Sequence, residues 1–186
     1  MIFGDHLTPA GSAAPAEWIR TSCHGEPGTV GALVPNQFAA TIRLCAPDPG
    51  EGDWWAEYRD LFSIVASIGE RYTSTPNRAW FAVWEGHGFP IAAPLDLIPR
   101  FELPDRAYYL MEGPVTAIDR LRYPGDDGWR NPDLFWPDDH QWFVATDVDF
   151  WSLYVGGDND FVAELASSVP VCSELMGLDS RLEIEN

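Results

Sequence analysis

The chain has 186 residues, 29 of them acidic against eleven basic, for a formal net charge of −18. A field of that sign excludes nucleic-acid phosphates and anionic lipid as partners and speeds encounter with a basic protein or a cation. An apolar fraction of 46%, including nine Trp, ten Phe and six Tyr, rules out a disordered chain and supplies a large aromatic core for one globular domain, expected to span 1–186.

All the basic residues are Arg, a bias that a GC-rich genome or a salt-adapted surface also produces without any partner. Sixteen Pro and sixteen Gly, spread along the chain, predict many short elements joined by turns. Met1–His6 lacks a basic n-region and an apolar h-region, and no run approaches the ~18 apolar residues of a membrane span. Cys23, Cys45 and Cys172 are odd in number, far apart and in no CxxC spacing. The expectation is reduced, buried thiols, no disulfide scaffold and a cytoplasmic location.

In chain order, the first ~25 residues are turn-rich and read as an irregular segment apart from Trp18-Ile19, and Thr29–Pro35 is a short apolar piece closed by Pro. Phe38–Cys45 alternates, with Phe38, Ala40, Ile42 and Leu44 on one face and Thr41 and Arg43 on the other, which predicts a half-buried strand. Asp53 is placed to cap a helix whose apolar stripe runs Trp54, Trp55, Tyr58, Leu61, Phe62, Val65, Ile68, with Gly69 as its stop. Ala79–Trp84 is apolar on both faces and reads as an interior strand. Arg106–Glu112 alternates as a further strand, Pro114 opens a short helix to about Leu121, and Gly125–Asp139 reads as a loop. His140–Trp151 carries the longest strand pattern; Gly156-Gly157 then reads as a tight turn into a helix at Asp158–Ser168 with Phe161, Val162 and Leu165 inward. Strands and helices do not alternate regularly, which predicts an α+β fold with a mainly antiparallel mixed sheet and two or three packed helices.

Two constellations bear on chemistry. Asp147 and Asp149 fall on one strand face, about 6.6 Å apart along the chain at the strand rise, and with His140 or Asp139 near the strand's start they make a candidate Mg²⁺ or Ca²⁺ site. The loop from Trp129 to Asp139 combines stiffening Pro with aromatics and acids, so Trp129, Phe135, Trp136, Asp138 and Asp139 are candidate partner-binding residues. Cys23-His24 is the one adjacent Cys/His pair, no Gly-x-Ser-x-Gly elbow or phosphate-binding glycine motif occurs, and Asp158 and Asp160 repel an anion from the Gly156-Gly157 turn.

Asn131–Gly157, with Leu134-Phe135-Trp136-Pro137, Trp142 to Asp149 and Leu153-Tyr154-Val155-Gly156-Gly157, resembles the C-terminal signature L-W-W-P, W-x-V-A-T-E-V-D, T-Y-V-G-G of a family of actinobacterial proteins without an assigned activity. The chain departs from it at Phe135 for Trp, Asp147 for Glu and Leu153 for Thr. The resemblance implies a shared fold and an actinobacterial source and carries over no catalytic residue.

These readings lead to a non-enzymatic, acidic, cytoplasmic binding protein without a cofactor, most concretely an immunity-type inhibitor of a basic toxin domain. The alternative is a divalent-metal-dependent hydrolase or metal-binding protein using Asp147 and Asp149 with His140. A small-ligand or sugar-binding module built on Trp129, Phe135 and Trp136 is the third reading.

Overall fold

A strand with large apolar side chains on both faces has to be covered on both, and Ala79–Trp84 is such a strand: Trp80, Phe81, Ala82 and Val83 are all buried. The computed structural model describes residues 6–45, 54–88, 97–104, 106–122, 128–148 and 152–182. Among them, nine strands form one sheet. They are β1 (Thr8–Pro9), β2 (Ala40–Leu44), β3 (Ala79–Trp84), β4 (Arg100–Leu103), β5 (Arg106–Gly113), β6 (Leu134–Pro137), β7 (Phe143–Ala145), β8 (Leu153–Gly157) and β9 (Ser173–Leu175). The order is β1-β5-β3-β6-β7-β8-β2-β9, with β4 also on β5, and the pairings are antiparallel. The α+β expectation is met.

Four α-helices, α1 (Glu17–Ser22), α2 (Val30–Leu33), α3 (Trp54–Gly69) and α4 (Asn159–Ser168), flank the sheet. Because side chains alternate across a strand, the sheet feeds two cores. On one face Phe81, Phe135, Val144 and Val155 meet Phe62 and Val65 of α3, Phe161 and Leu165 of α4 and the 3-10 turn Val115–Arg120. On the other, Trp80, Trp136, Phe143 and Tyr154 meet Ile19, Val30 and Val34, with Met176, Leu178 and Leu182 packed at the margin. Each large apolar side chain so buried contributes roughly 1.5–3 kcal/mol. The helix stripe read from the sequence is, from Trp55 onward, the face of α3 packed on the core, and Asp158 caps α4 by accepting the Phe161 N–H at 2.7 Å. Asp53 lies outside the described residues.

The first 25 residues are corrected from irregular to folded: β1 pairs with Glu112 and Met111, a 3-10 turn covers Ala14–Ala16, and α1 buries Ile19 on the second core. The long strand expected over His140–Trp151 is corrected too. Strand β7 ends at Ala145 and returns as β8, with Val144 opposite Val155. Past that end Thr146 still gives its N–H to the Asp133 carbonyl at 2.9 Å, while its hydroxyl meets the Tyr58 hydroxyl at 2.9 Å and donates to the Ser152 carbonyl at 3.2 Å. Gly156-Gly157 is not a turn but the end of β8, where Phe38 and Phe161 press so close that a Cβ on either glycine meets a ring at about 2.5 Å. Gly69 is likewise set by contact: the Trp142 ring lies over it and donates its indole N–H to the Gly69 carbonyl at 2.9 Å.

The cysteine expectation also fails. Cys45 and Cys172 form a disulfide with Cα atoms 5.4 Å apart across 127 residues, tying the end of β2 to the start of β9. Cys23 is the free cysteine, and burial pushes its thiol up to about 12. The odd count hid the pair because the third cysteine is a half-buried free thiol. No helix among the described residues is long and apolar enough to cross a membrane.

Candidate functional site

The segment Trp129–Asp139 runs through the interior instead of looping over the surface. Phe135 and Trp136 sit in β6 with no exposed area, Phe135 stacked on Phe81 at 4.7 Å and Trp136 opposite Trp80. Trp129 is 6% exposed and donates its indole N–H to the Ile118 carbonyl at 2.8 Å, with its ring against Trp55 and Phe62. The aromatic members of the proposed contact set are therefore core residues.

The acids of the segment are tied as well. Asp138 accepts the Trp80 indole N–H at 2.9 Å and lies 3.8 Å from Arg78, whose guanidinium covers the Trp80 ring. Asp139 accepts from the Thr73 hydroxyl at 2.8 Å, the Ser74 N–H at 2.6 Å and the Ser74 hydroxyl at 2.8 Å. Burial pushes the Asp139 carboxyl up, but these bonds, joined by the Gln141 N–H, outweigh it and hold the group below its ordinary value. Such a carboxylate stabilises the fold above the pH at which an unfolded Asp titrates, about 3.9, and that stabilisation is lost as pH falls through the lower folded value. Asp139→Asn is expected to lose about 1–2 kcal/mol at pH 7 and to converge with the native chain in acid melts once pH has fallen through the lowered Asp139 value; a gap that persists after the native carboxyl is protonated identifies packing as the cause.

The described members of the metal reading, His140 and Asp147, lie at opposite ends of β7. His140 follows the turn after β6, in the left-handed region at φ 57, stacked on Trp18 at 4.3 Å. Burial lowers its imidazole against the upward pull of Asp138 and Asp139, so it stacks as a neutral ring. Asp147 lies past the other end of β7, its Oδ1 accepting from Arg106 Nη2 at 2.7 Å. Asp149 lies outside the described residues. Among the described residues no group of three or more His, Cys, Asp or Glu is arranged to hold a metal ion.

What the fold does bring together is a polar cluster at one end of the sheet, where β3 and β7 end and β5 and β6 begin. Asp133, 3% exposed, precedes β6; its N–H reaches the Ala82 carbonyl and its carbonyl takes the Thr146 N–H, both at 2.9 Å. Its carboxylate accepts the Trp84 N–H at 2.7 Å and His87 Nε2 at 3.1 Å. Because a carboxylate only accepts, Nε2 carries the imidazole proton. Beside this pair the Arg106 guanidinium lies 4.4 Å over the Trp84 ring while holding Asp147. Burial, and next the Asp133 charge, push the Tyr108 hydroxyl above the ordinary phenol range, so it stays protonated. Orientation of an imidazole by a buried carboxylate is one half of general acid–base machinery; here the same bonds close the 3-10 turn Glu85–His87 onto the sheet.

Asp133 was within the expected loop, but its pairing with His87 spans 46 residues, and no local spacing reports that. The one local signal is an acid set directly before the apolar run Leu134–Pro137. Elsewhere, α3 and α4 flank an open groove of about 510 Å³, floored by Ile64 and Ile68, with Ser63, Ser67 and the Arg71–Glu164 pair among its lining. Comparison with protein-family models, with curated proteins and with solved structures finds no match.

Proposed function

We propose that the chain is a non-enzymatic binding protein for a basic protein partner, an immunity-type inhibitor of a basic toxin domain being its most concrete form. The observation that supports this is where the charges go. Arg20, Arg43, Arg59, Arg71, Arg78, Arg100 and Arg106 are each within reach of a carboxylate of the same chain. Glu26, Glu57, Glu70, Glu102, Asp119, Asp160 and Asp179 face solvent, within a surplus of 18 negative charges. A surface with seven of its eleven cations engaged at home and a large acidic surplus attracts cations from elsewhere, and the attraction acts on the encounter rate first.

Compartment is part of the proposal. Cytoplasmic residence rested on reduced cysteines, and the Cys45–Cys172 bond supports an oxidising compartment instead. The test is capture of partners from a lysate of the source organism, their identification, and association kinetics for the one recovered. A basic protein whose association rate falls at least about tenfold between about 20 and 300 mM salt is expected. A salt-insensitive complex, or recovery of no basic protein, overturns the reading.

A further inference from the structure

We infer that the outer edge of β9 is a docking strand for an extended segment of the basic partner, one carrying a Lys or Arg between two apolar residues. The inference rests on the basic-partner reading and assigns its contact surface. Strand β9 is the last in the sheet order, and its three residues are all exposed. Its register on β2 sets Ser173 opposite Leu44, Glu174 opposite Arg43 and Leu175 opposite Ile42. The Cys45 N–H bonds the Cys172 carbonyl and the Met176 N–H bonds the Thr41 carbonyl, both at 2.9 Å. In an antiparallel ladder the hydrogen-bonded pairs alternate, so Glu174 is turned to β2, and the backbone N–H and C=O of Ser173 and Leu175 point outward. Among the described residues nothing pairs with them.

The two edges of the sheet are treated differently. The edge beyond β5 is blunted by Pro9 in β1 and by Arg100 and Glu102 on β4, the usual protection against strand addition. Beyond β9 the exposed side chain is Leu175, 71% accessible, on the same face as Ile42 of the helix-side core. The disulfide fixes this short strand at Cys172, so its open backbone groups are held ready, which lowers the ordering cost of adding a strand. A second copy of the chain is disfavoured: the two-fold pairing that uses both outward residues of each copy sets Glu174 against Glu174, like charges directly opposite, between two chains of −18 each. A basic residue opposite Glu174 shares a carboxylate that lies 3.8 Å from Arg43 on its inner side and is still 58% exposed, and an apolar one beside Leu175 covers that side chain.

The test uses the disulfide-bonded full chain and a blocked nonapeptide of alternating Arg and Val. Saturating peptide is expected to slow hydrogen exchange of the Ser173 and Leu175 amides at least about tenfold and to leave the Glu174 amide unchanged. Ser173→Pro removes one outward N–H without touching a bond to β2 and should weaken peptide binding at least about tenfold at an unchanged melting temperature. Leu175→Arg, which keeps the backbone and adds a like charge to the peptide's, should do the same. Binding without protection at these two amides, equal binding by both variants, or concentration-dependent protection of the chain by itself overturns the inference. A basic partner that binds both variants as tightly as the native chain leaves the partner reading standing and removes the edge; protection by the peptide with no basic partner recoverable does the reverse.

Discussion

A chain with Cys45→Ser and Cys172→Ser is expected to melt about 10–20 °C below the native one, a loss of about 4–5 kcal/mol. The size follows from the loop the bond closes, 127 residues in sequence, because the unfolded chain regains the freedom that the cross-link removes. The site of the damage is also defined. With Ser173, Glu174 and Leu175 all exposed, β9 buries little side chain of its own and depends on the bond to hold its register. The residues after it carry the Leu178 and Ser180 carbonyls that receive the Gly31 and Val30 N–H groups at 2.8 and 2.9 Å. Exchange of those two amides should therefore accelerate on reduction, ahead of the amides of β3. Thiol titration checks the premise: the denatured, unreduced chain should show one thiol, Cys23, and the reduced chain three. Three thiols without reductant, or an unchanged melt in the double variant, sinks the expectation.

Where a pattern was local, the chain revealed it. The both-faced apolar run Ala79–Trp84 and the three-and-four spacing from Trp54 to Ile68 map onto β3 and α3, because burial of a strand or helix writes its period directly into neighbouring positions. Where the deciding contact was distant, it did not. Alternation from Trp142 to Phe150 runs through the end of β7, because Thr146 turns its hydroxyl to Tyr58, 88 residues away, and a turned-in Thr does not break an alternating pattern. Gly156 and Gly157 read as a turn by residue type alone, whereas their small size is required by Phe38 and Phe161. The aromatics and acids of Trp129–Asp139 carry surface composition but interior roles. Asp138 answers to Trp80 and Asp139 to Thr73, 58 and 66 residues off, and both acids are thereby withdrawn from the surplus open to a partner. The acidity of that segment is thus in part structural, and exposed carboxylates lie on the helices, such as Glu57 and Asp160.

Asp133→Ala should cost about 3–4 kcal/mol, the largest loss expected from any one acid described, because it removes a buried carboxylate that two partly buried donors share. The Trp84 N–H, 2.7 Å from the Asp133 carboxylate, is left without that acceptor, and the His87 imidazole loses the carboxylate that orients it. Asp133→Asn keeps one oxygen for the Trp84 N–H and drops the charge, so it should lose about half as much. His87→Ala should cost less, about 1–2 kcal/mol, since its removal leaves Asp133 still holding the Trp84 amide. Chemical denaturation of the three variants measures this ordering. A loss that is greatest for Asp133→Ala, smaller for Asp133→Asn and least for His87→Ala means that the carboxylate serves the end of β3 and only secondarily the imidazole. If His87→Ala instead matches Asp133→Ala, the pair stabilises as a unit, and the imidazole rather than the backbone is what the buried carboxylate is there to hold.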